Sequence, residues 1–337
     1  MKNLIIYGML VFSVGAFAQQ EETNGGPINS RTETGVIDGV YLKTHVPTKR
    51  LIPYQHVREA DVIWSKRIWR AIDLREKINR PLYYPLDEFS NPDPITGEVD
   101  WIRNENRWSL WTIIRQHILS GDLTVYSDYN PVRTNVKDGD QFKYPISPEP
   151  GKNYATDSVY RDQLFYYLGS LGKVPVQPFL NQYQQDSMDL NGNPVYPPQD
   201  TNWYSSEDII QYRLKEDWFF DKERSVLDVR ILGLAPVRHN KEEDGTITGT
   251  WTMFWLYFPT DCRYVFNNYF VYNEDNGSRW MSFDDFFMKR RFSSFIYKEE
   301  NVYDRSIEKY RVGVEALRES QKITEEIRLI EHDVWSY

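Results

Sequence analysis

The sequence predicts an α+β fold of mixed helices and antiparallel strands, closed by a long amphipathic helix at the C-terminus. Three observations carry this. From Ser109 to Gly121 the apolar residues Leu110, Ile113, Ile114 and Ile118 recur at helical spacing between an N-capping serine and a terminating glycine. From Ile210 to Leu234 the apolar residues alternate on either side of an Asp221–Arg224 turn, the pattern of a hairpin. From Arg305 to Val334 they return every three or four residues.

The first eighteen residues read as a secretory signal. Lys2 precedes an apolar run from Leu4 to Phe17, and Ala16-Phe17-Ala18 forms a small-x-small cleavage site before Gln19. That run is too short to span a bilayer, and no later segment is apolar enough to do so. No cysteine follows the cleavage site, so lipid attachment is not expected there. The mature chain is therefore expected to be exported and soluble. Residues 19–50, with Gly25-Gly26-Pro27 and few large apolar side chains, read as a flexible arm.

The organising stretch runs from Val57 to Pro85. Trp64, Ile68 and Ile72 stand four apart, on one helical face, and Asn79 and Pro81 supply a stop. The Ala, Arg, Glu and Lys content favours the helix. A long strand hairpin is the alternative, since Val62, Trp64, Ile68, Ile72 and Leu74 also share a parity. Seven basic and four acidic side chains between Arg58 and Arg80 leave a net +3 here, in a chain whose formal charge is −9. Trp64 and Trp69 are therefore expected to anchor a partner, with Arg67 and Arg70 fixing its register. The alternative buries both tryptophans and leaves the arginines solvated.

Ser90 to Gly97 is a turn-rich loop, and Leu123 to Tyr126 is a strand that follows the Ser109 helix. Tyr129 to Tyr154 holds four prolines and is mostly loop. A helix over Val159–Leu171 ends at Gly172, and the Gln-, Asn- and Pro-rich residues 177–202 read as a linker. Beyond the hairpin, a turn at Asp244-Gly245 leads to a strand over Thr250–Phe258. Phe266–Tyr272 and Ser282–Phe292 are helix candidates, the second with Ser282 as N-cap. The last helix has two apolar stripes on different faces, Ile307/Tyr310/Val314/Leu317 and Ile323/Ile327/Ile330/Val334. A globular core is expected to be complete before Asn301, leaving this helix for assembly.

Two patterns recur in order. Asp61-Val62-Ile63 resembles Asp208-Ile209-Ile210, and Ser109-Leu110-x-x-Ile113-Ile114 resembles Ser282-Phe283-x-x-Phe286-Phe287. A duplication would make 51–176 and 203–300 two similar lobes on either side of the linker, with 301–337 as the terminal helix.

Few residue types point to chemistry. An acidic chain without a long basic run is a poor nucleic-acid binder. Glu59 and Asp61 are two apart and beside Arg58, which suits a solvated face better than an acid–base pair. His45, His56, His117, His239 and His332 have no metal-ligand spacing, and His117, on the apolar face of its helix, reads as a hydrogen-bonded core residue. Asp189–Asn193 opens like a calcium loop, but Pro194 stands where glycine is needed. The single cysteine, Cys262, reads as a buried apolar residue, and Lys289-Arg290-Arg291 as the solvated side of a helix. No catalytic residue, cofactor or metal is expected.

The run from Glu59 to Pro85, together with Tyr212-Arg213-Leu214-Lys215-Glu216-Asp217-Trp218 and Met281-Ser282-Phe283-Asp284-Asp285-Phe286-Phe287, resembles the GldN/PorN family of gliding-motility and type IX secretion proteins. The resemblance extends over roughly Leu51 to Asn301. It implies a non-enzymatic periplasmic subunit that joins an outer-membrane lipoprotein of the GldK/PorK type and copies of itself in a ring. The periplasmic part of an inner-membrane motor component of the GldM/PorM type is a further implied partner. The rival expectation, from aromatic content of 15%, is a glycan- or peptidoglycan-binding module or a cryptic glycan hydrolase.

Overall fold

The computed structural model describes residues 50–335 except 87, 90–92, 94–99, 104–106, 132, 134–136, 173–176, 179–187, 189–193, 198–200, 242–244, 274–275, 277–278 and 280. The signal segment, residues 19–49 of the arm, His45, Asp189–Asn193 and most of the 177–202 linker lie outside the described residues. Twelve strands are described: β1 (Val62–Asp73), β2 (Glu88–Phe89), β3 (Trp101–Arg103), β4 (Val125–Ser127), β5 (Pro145–Ile146), β6 (Gly169–Leu171), β7 (Thr201–Trp203), β8 (Ile209–Asp221), β9 (Val226–Lys241), β10 (Ile247–Thr252), β11 (Phe254–Tyr257) and β12 (Phe295–Glu299). The longer helices are α1 (Leu110–Ser120), α2 (Ser158–Leu168), α3 (Phe283–Met288) and α4 (Val314–Trp335). The fold is α+β, as expected.

An antiparallel sheet in the order β12-β1-β8-β9-β11-β4-β5, with β10 added to β9, is the frame; β2 with β3 and β6 with β7 form small ribbons. The hairpin of β8 and β9 is where the sequence puts it. The organising stretch departs from both expectations, for it is neither a helix nor a hairpin. It is one twelve-residue strand, β1, entered through a 3₁₀ turn at Glu59–Asp61. Trp64, Ile68 and Ile72 satisfy the helical step of four and the strand parity of two at once, so local spacing cannot separate them. Helix propensities differ by only some tenths of a kcal/mol per residue. Here β1 is paired on both edges, by β8 and by β12, and these distant ladders override the local preference.

The sheet also overturns the separate lobes. The expected recurrence is visible: a 3₁₀ turn enters both β1 and β8, and a serine-capped helix precedes both β4 and β12. But β1 and β8 lie side by side, Arg67 opposite Asp217, and β12 adds to the outer edge of β1. Strands from 51–176 and 203–300 thus share one sheet, because the edges of β1 are filled by the later stretch.

Helix α1 follows its expectation. Ser109 Oγ accepts from the Thr112 amide, and Gly121 closes the helix at φ +89°, where a side chain would be strained. Helix α2 ends three residues short of expectation, at Leu168, because Gly169–Leu171 pairs with β7. The Thr250–Phe258 strand is split at Met253 into β10 and β11, which both add to β9. The Phe266–Tyr272 helix is not formed; the helical turns lie before it, over Phe258–Phe266. Helix α4 begins at Val314, after Gly313 at φ +60°, rather than at Arg305. Ile307 belongs to a separate 3₁₀ turn, Ile307–Lys309.

The main core lies where α1, α2 and α3 pack on the sheet. It joins Ile72, Tyr212 and Leu214 to Trp111, Ile114, Leu164, Phe254, Phe283 and Phe287. Cys262 is buried in it, and burial pushes its thiol well above the usual range. A second cluster consists of five isoleucines: Ile68 and Ile296 from the sheet, Ile307, and Ile323 and Ile327 from α4. The core is therefore not complete before Asn301. The third cluster lies on the opposite parity of β1 and groups Trp69, Ala235 and Trp255.

Candidate functional site

The four residues expected to face a partner do not share a surface. Trp69 is buried beside Ala235 and Trp255, and its indole Nε1 donates to Asp140 Oδ2 at 3.2 Å. Arg70, on the opposite side of β1, is buried against Glu216, whose exposure is 0%. Arg70 Nε stands 3.2 Å from Glu216 Oε2, and Arg290 Nη1 donates to Oε1 at 2.8 Å. The Trp218 indole donates to Oε2 at 3.0 Å. Burial lowers the Arg70 guanidinium from its usual value, opposed by the attraction of Glu216. A buried carboxylate with two guanidiniums and an indole is satisfied, and its removal would strand the cations. Neither the binding nor the solvated expectation holds for Arg70, and the solvated reading fails for Arg290.

Arg67 is the more accessible of the two arginines. Its Nε and Nη2 donate to the two Asp217 oxygens at 2.6 and 2.7 Å, with side chains about a third exposed. This bidentate pair raises the Arg67 guanidinium and is worth at most about 1 kcal/mol at such exposure. Lys66 meets Glu299 of β12 at 2.6 Å. On the face of Trp69, Lys215 is buried over the Trp69 and Phe142 rings and donates to the Asp140 carbonyl. The basic residues of β1 are thus answered by Glu299, Asp217 and Glu216 inside the chain. The exposed basic residues of the stretch, Arg58, Arg75, Lys77 and Arg80, flank the strand rather than sharing a face with Trp64 or Trp69. Trp64 remains half-buried at the edge of the isoleucine cluster.

Asp61 and His117, weighed on sequence for chemistry, each meet partners within the chain. Asp61 accepts from Arg58 Nε at 2.7 Å. His117 Nδ1 lies 2.6 Å from Asp122 Oδ2 and its Nε2 2.8 Å from the Tyr269 hydroxyl, which ties the end of α1 to the main core. Among the described residues no cluster of His, Cys, Asp or Glu is arranged to hold a metal ion, and no helix is long and apolar enough to cross a membrane.

What sequence reasoning missed is an exposed apolar surface at the start of α4. Val302, Tyr303, Val312, Val314 and Leu317 are 99%, 75%, 83%, 65% and 56% exposed. Val312 and Leu317 line a groove of about 420 Å³ together with Phe295, Tyr297, Ile307 and Ala316. The sequence placed Val314 and Leu317 on an apolar stripe of a helix left for assembly, but gave no such sign for Val302, Tyr303 or Val312. The 3₁₀ turn and Gly313 interrupt the helix that would have carried that stripe, so Ile307 is buried, Tyr310 packs against the isoleucine cluster, and Val314 and Leu317 stay exposed. A cluster of this kind on a folded chain marks an interaction site more often than chance.

A search among curated proteins returns no match to the chain. The family model described as gliding motility associated protein GldN matches residues 57–336, which takes in β1, the β8–β9 hairpin, both serine-capped helices and α4. The chain belongs to the GldN family of gliding-motility proteins.

Proposed function

We propose that this chain is a non-catalytic structural subunit of the type IX secretion and gliding machinery. In this reading it is exported to the periplasm and assembles with an outer-membrane lipoprotein of the GldK/PorK type and with copies of itself in a ring. A motor component of the GldM/PorM type would meet it from the inner membrane. Family membership supports involvement in gliding motility. The observation that carries the assembly reading is the apolar cluster around the α4 groove. Its centre offers Leu317, Val312 and Val314 without any described element of the chain covering them. Trp64, Tyr310 and Ala316 pack on the same isoleucine cluster and continue this surface toward β1. Large apolar side chains at the centre of an interface supply most of its energy, with charged groups at the rim. The remaining candidate, Arg67, fits a rim role through its half-open pair with Asp217.

The test is co-purification of the tagged chain with its lipoprotein from detergent-solubilised outer membranes. Val314→Asp with Leu317→Asp should leave the melting transition unchanged, since both side chains are exposed, and reduce recovered lipoprotein at least ten-fold. Full recovery by the folded double variant would remove this surface from the interface. No lipoprotein with the unaltered chain would refute the assembly reading itself.

A further inference from the structure

A second concavity lies far from β1, where α2 faces β4, β9 and β10. Two basins of about 670 and 700 Å³ adjoin at Tyr129 and Tyr166, which line both, and make up this groove. Each is the size of a drug-like or oligosaccharide ligand site. The groove is built on rings held in place by other rings. Tyr167 and Trp251 are nearly parallel, 18° apart, and Tyr166 stands at 89° to the first and 76° to the second. Behind them the Tyr167 hydroxyl donates to Ser127 Oγ at 2.8 Å, which locks the cluster to β4. Tyr166 is 63% exposed all the same. An aromatic side chain that is fixed and exposed in a cleft costs little entropy to engage.

The same groove contains a cation with an open valence. Arg238 lies between the Tyr204 and Trp251 rings, 4.4 and 4.6 Å from their centroids. Arg67, Arg70, Arg263 and Arg290 each meet a carboxylate. Arg238 makes no ion pair with a described residue; its Nη1 donates only to the His239 carbonyl at 3.3 Å, and its buried Nε finds no partner. A guanidinium stacked between rings is oriented in advance for a bidentate anion, above all a carboxylate. Lys137 adds a second positive charge at the groove and Asp162 a negative one. The rest of the lining mixes hydroxyl and carboxamide groups, as at Ser170, Gln163, Asn240 and Thr250, with apolar side chains at Leu171, Pro131, Pro145 and Ile146.

We propose that this groove binds a glycan strand bearing free carboxylates, the chemistry of a peptidoglycan strand without its stem peptides. The exposed face of Tyr166 meets the apolar C–H face of a sugar ring, amides and hydroxyls take the sugar hydroxyls, and Arg238 takes a carboxylate. An acidic peptide could satisfy Arg238 but would leave the exposed face of Tyr166 without the ring that a sugar offers it. The inference is independent of the assembly surface on α4, and the two fail separately.

Binding is measured on the full chain by Trp fluorescence titration with three probes. These are a disaccharide containing N-acetylmuramic acid, chitobiose as the same backbone without the carboxylate, and a short oligoglutamate. The expected result is saturable binding of the muramic-acid disaccharide at least ten-fold tighter than chitobiose. Tyr166→Ala should weaken both sugars about ten-fold with an unchanged melting transition, and Tyr166→Phe should restore them. Arg238→Gln should erase the preference for the carboxylated sugar while sparing chitobiose. The proposal is overturned by no saturable sugar binding, by sugar affinity that Tyr166→Ala leaves intact, or by oligoglutamate that binds as tightly as the disaccharide. Lipoprotein co-purification should be unaffected by Tyr166→Ala, so loss here leaves the assembly reading standing.

Discussion

The main core and the isoleucine cluster are built on the same strand and differ in how much holds them. At its C-terminal end β1 puts Ile72 into an extended network of aromatic and aliphatic side chains from α1, α2, α3 and the sheet. Four residues earlier, on the same face, Ile68 enters a cluster of only five buried isoleucines, two of them from α4. At roughly 25 cal/mol per Å² of apolar surface, stability concentrates where burial is contiguous. The difference teaches that α4 is an attached element on a finished sheet edge. Its hold comes from Ile323 and Ile327 and from the Ile296 amide, which donates to Ser320 Oγ at 2.8 Å. Between the two lies Glu216 with its two arginines, so the seam is ionic.

The largest break should come from the main core. Phe287→Ala removes a ring fully buried among Phe258, Phe266, Phe286 and Phe292 and should cost about 4 kcal/mol, read as a lower urea midpoint of the global transition. At the seam, Glu216→Ala strands Arg70 and Arg290 and should cost about 3 kcal/mol. A cost below about 1 kcal/mol there would show that the seam is not a structural joint.

The isoleucine cluster should respond differently in kind. Ile327→Ala should cost about 2 kcal/mol of docking, seen as faster amide exchange and easier proteolysis within α4. The global transition should move far less than for Phe287→Ala. If both variants shift the same transition equally, the two cores are one cooperative unit.

The smallest effect is expected on the face of Trp69. Asp128 is buried and accepts from the Trp255 indole at 3.1 Å, and burial raises its carboxyl above the usual range. A raised pKa in the folded state means stability that is full below the unfolded value, near 3.9, and declines as pH rises through the folded value. Asp128→Asn keeps the acceptor and removes the charge. The variant should match or exceed the unaltered chain at pH 7, and its advantage should vanish toward pH 4. Denaturation at both pH values checks this; an advantage that grew on acidification would reverse the sign.

Much of this fold is determined by the sequence by itself, wherever the deciding residues are neighbours in the chain. Ser109 and Gly121 bound α1, Ser282 caps α3, and the Asp221–Arg224 turn closes β8 onto β9, because capping and tight turns are satisfied within a few residues. His117 was legible as a hydrogen-bonded helix residue, though its partner Tyr269 was not. The family was legible too, from motifs that the matched region of 57–336 includes. The tertiary structure alone decided β1. Its spacing fits two periods, and the choice is made by β8 and β12, more than a hundred residues away. The same distance hid the fate of its charges, since Arg67 and Arg70 read as a surface until Asp217, Glu216 and Arg290 are brought beside them. It also decided α4, whose first apolar stripe exists only if the helix begins before Gly313. Local rules fix what a segment can form. Which edge it fills, and which side chains are left for a partner, is set by long-range pairing that competes at a few kcal/mol against preferences of some tenths.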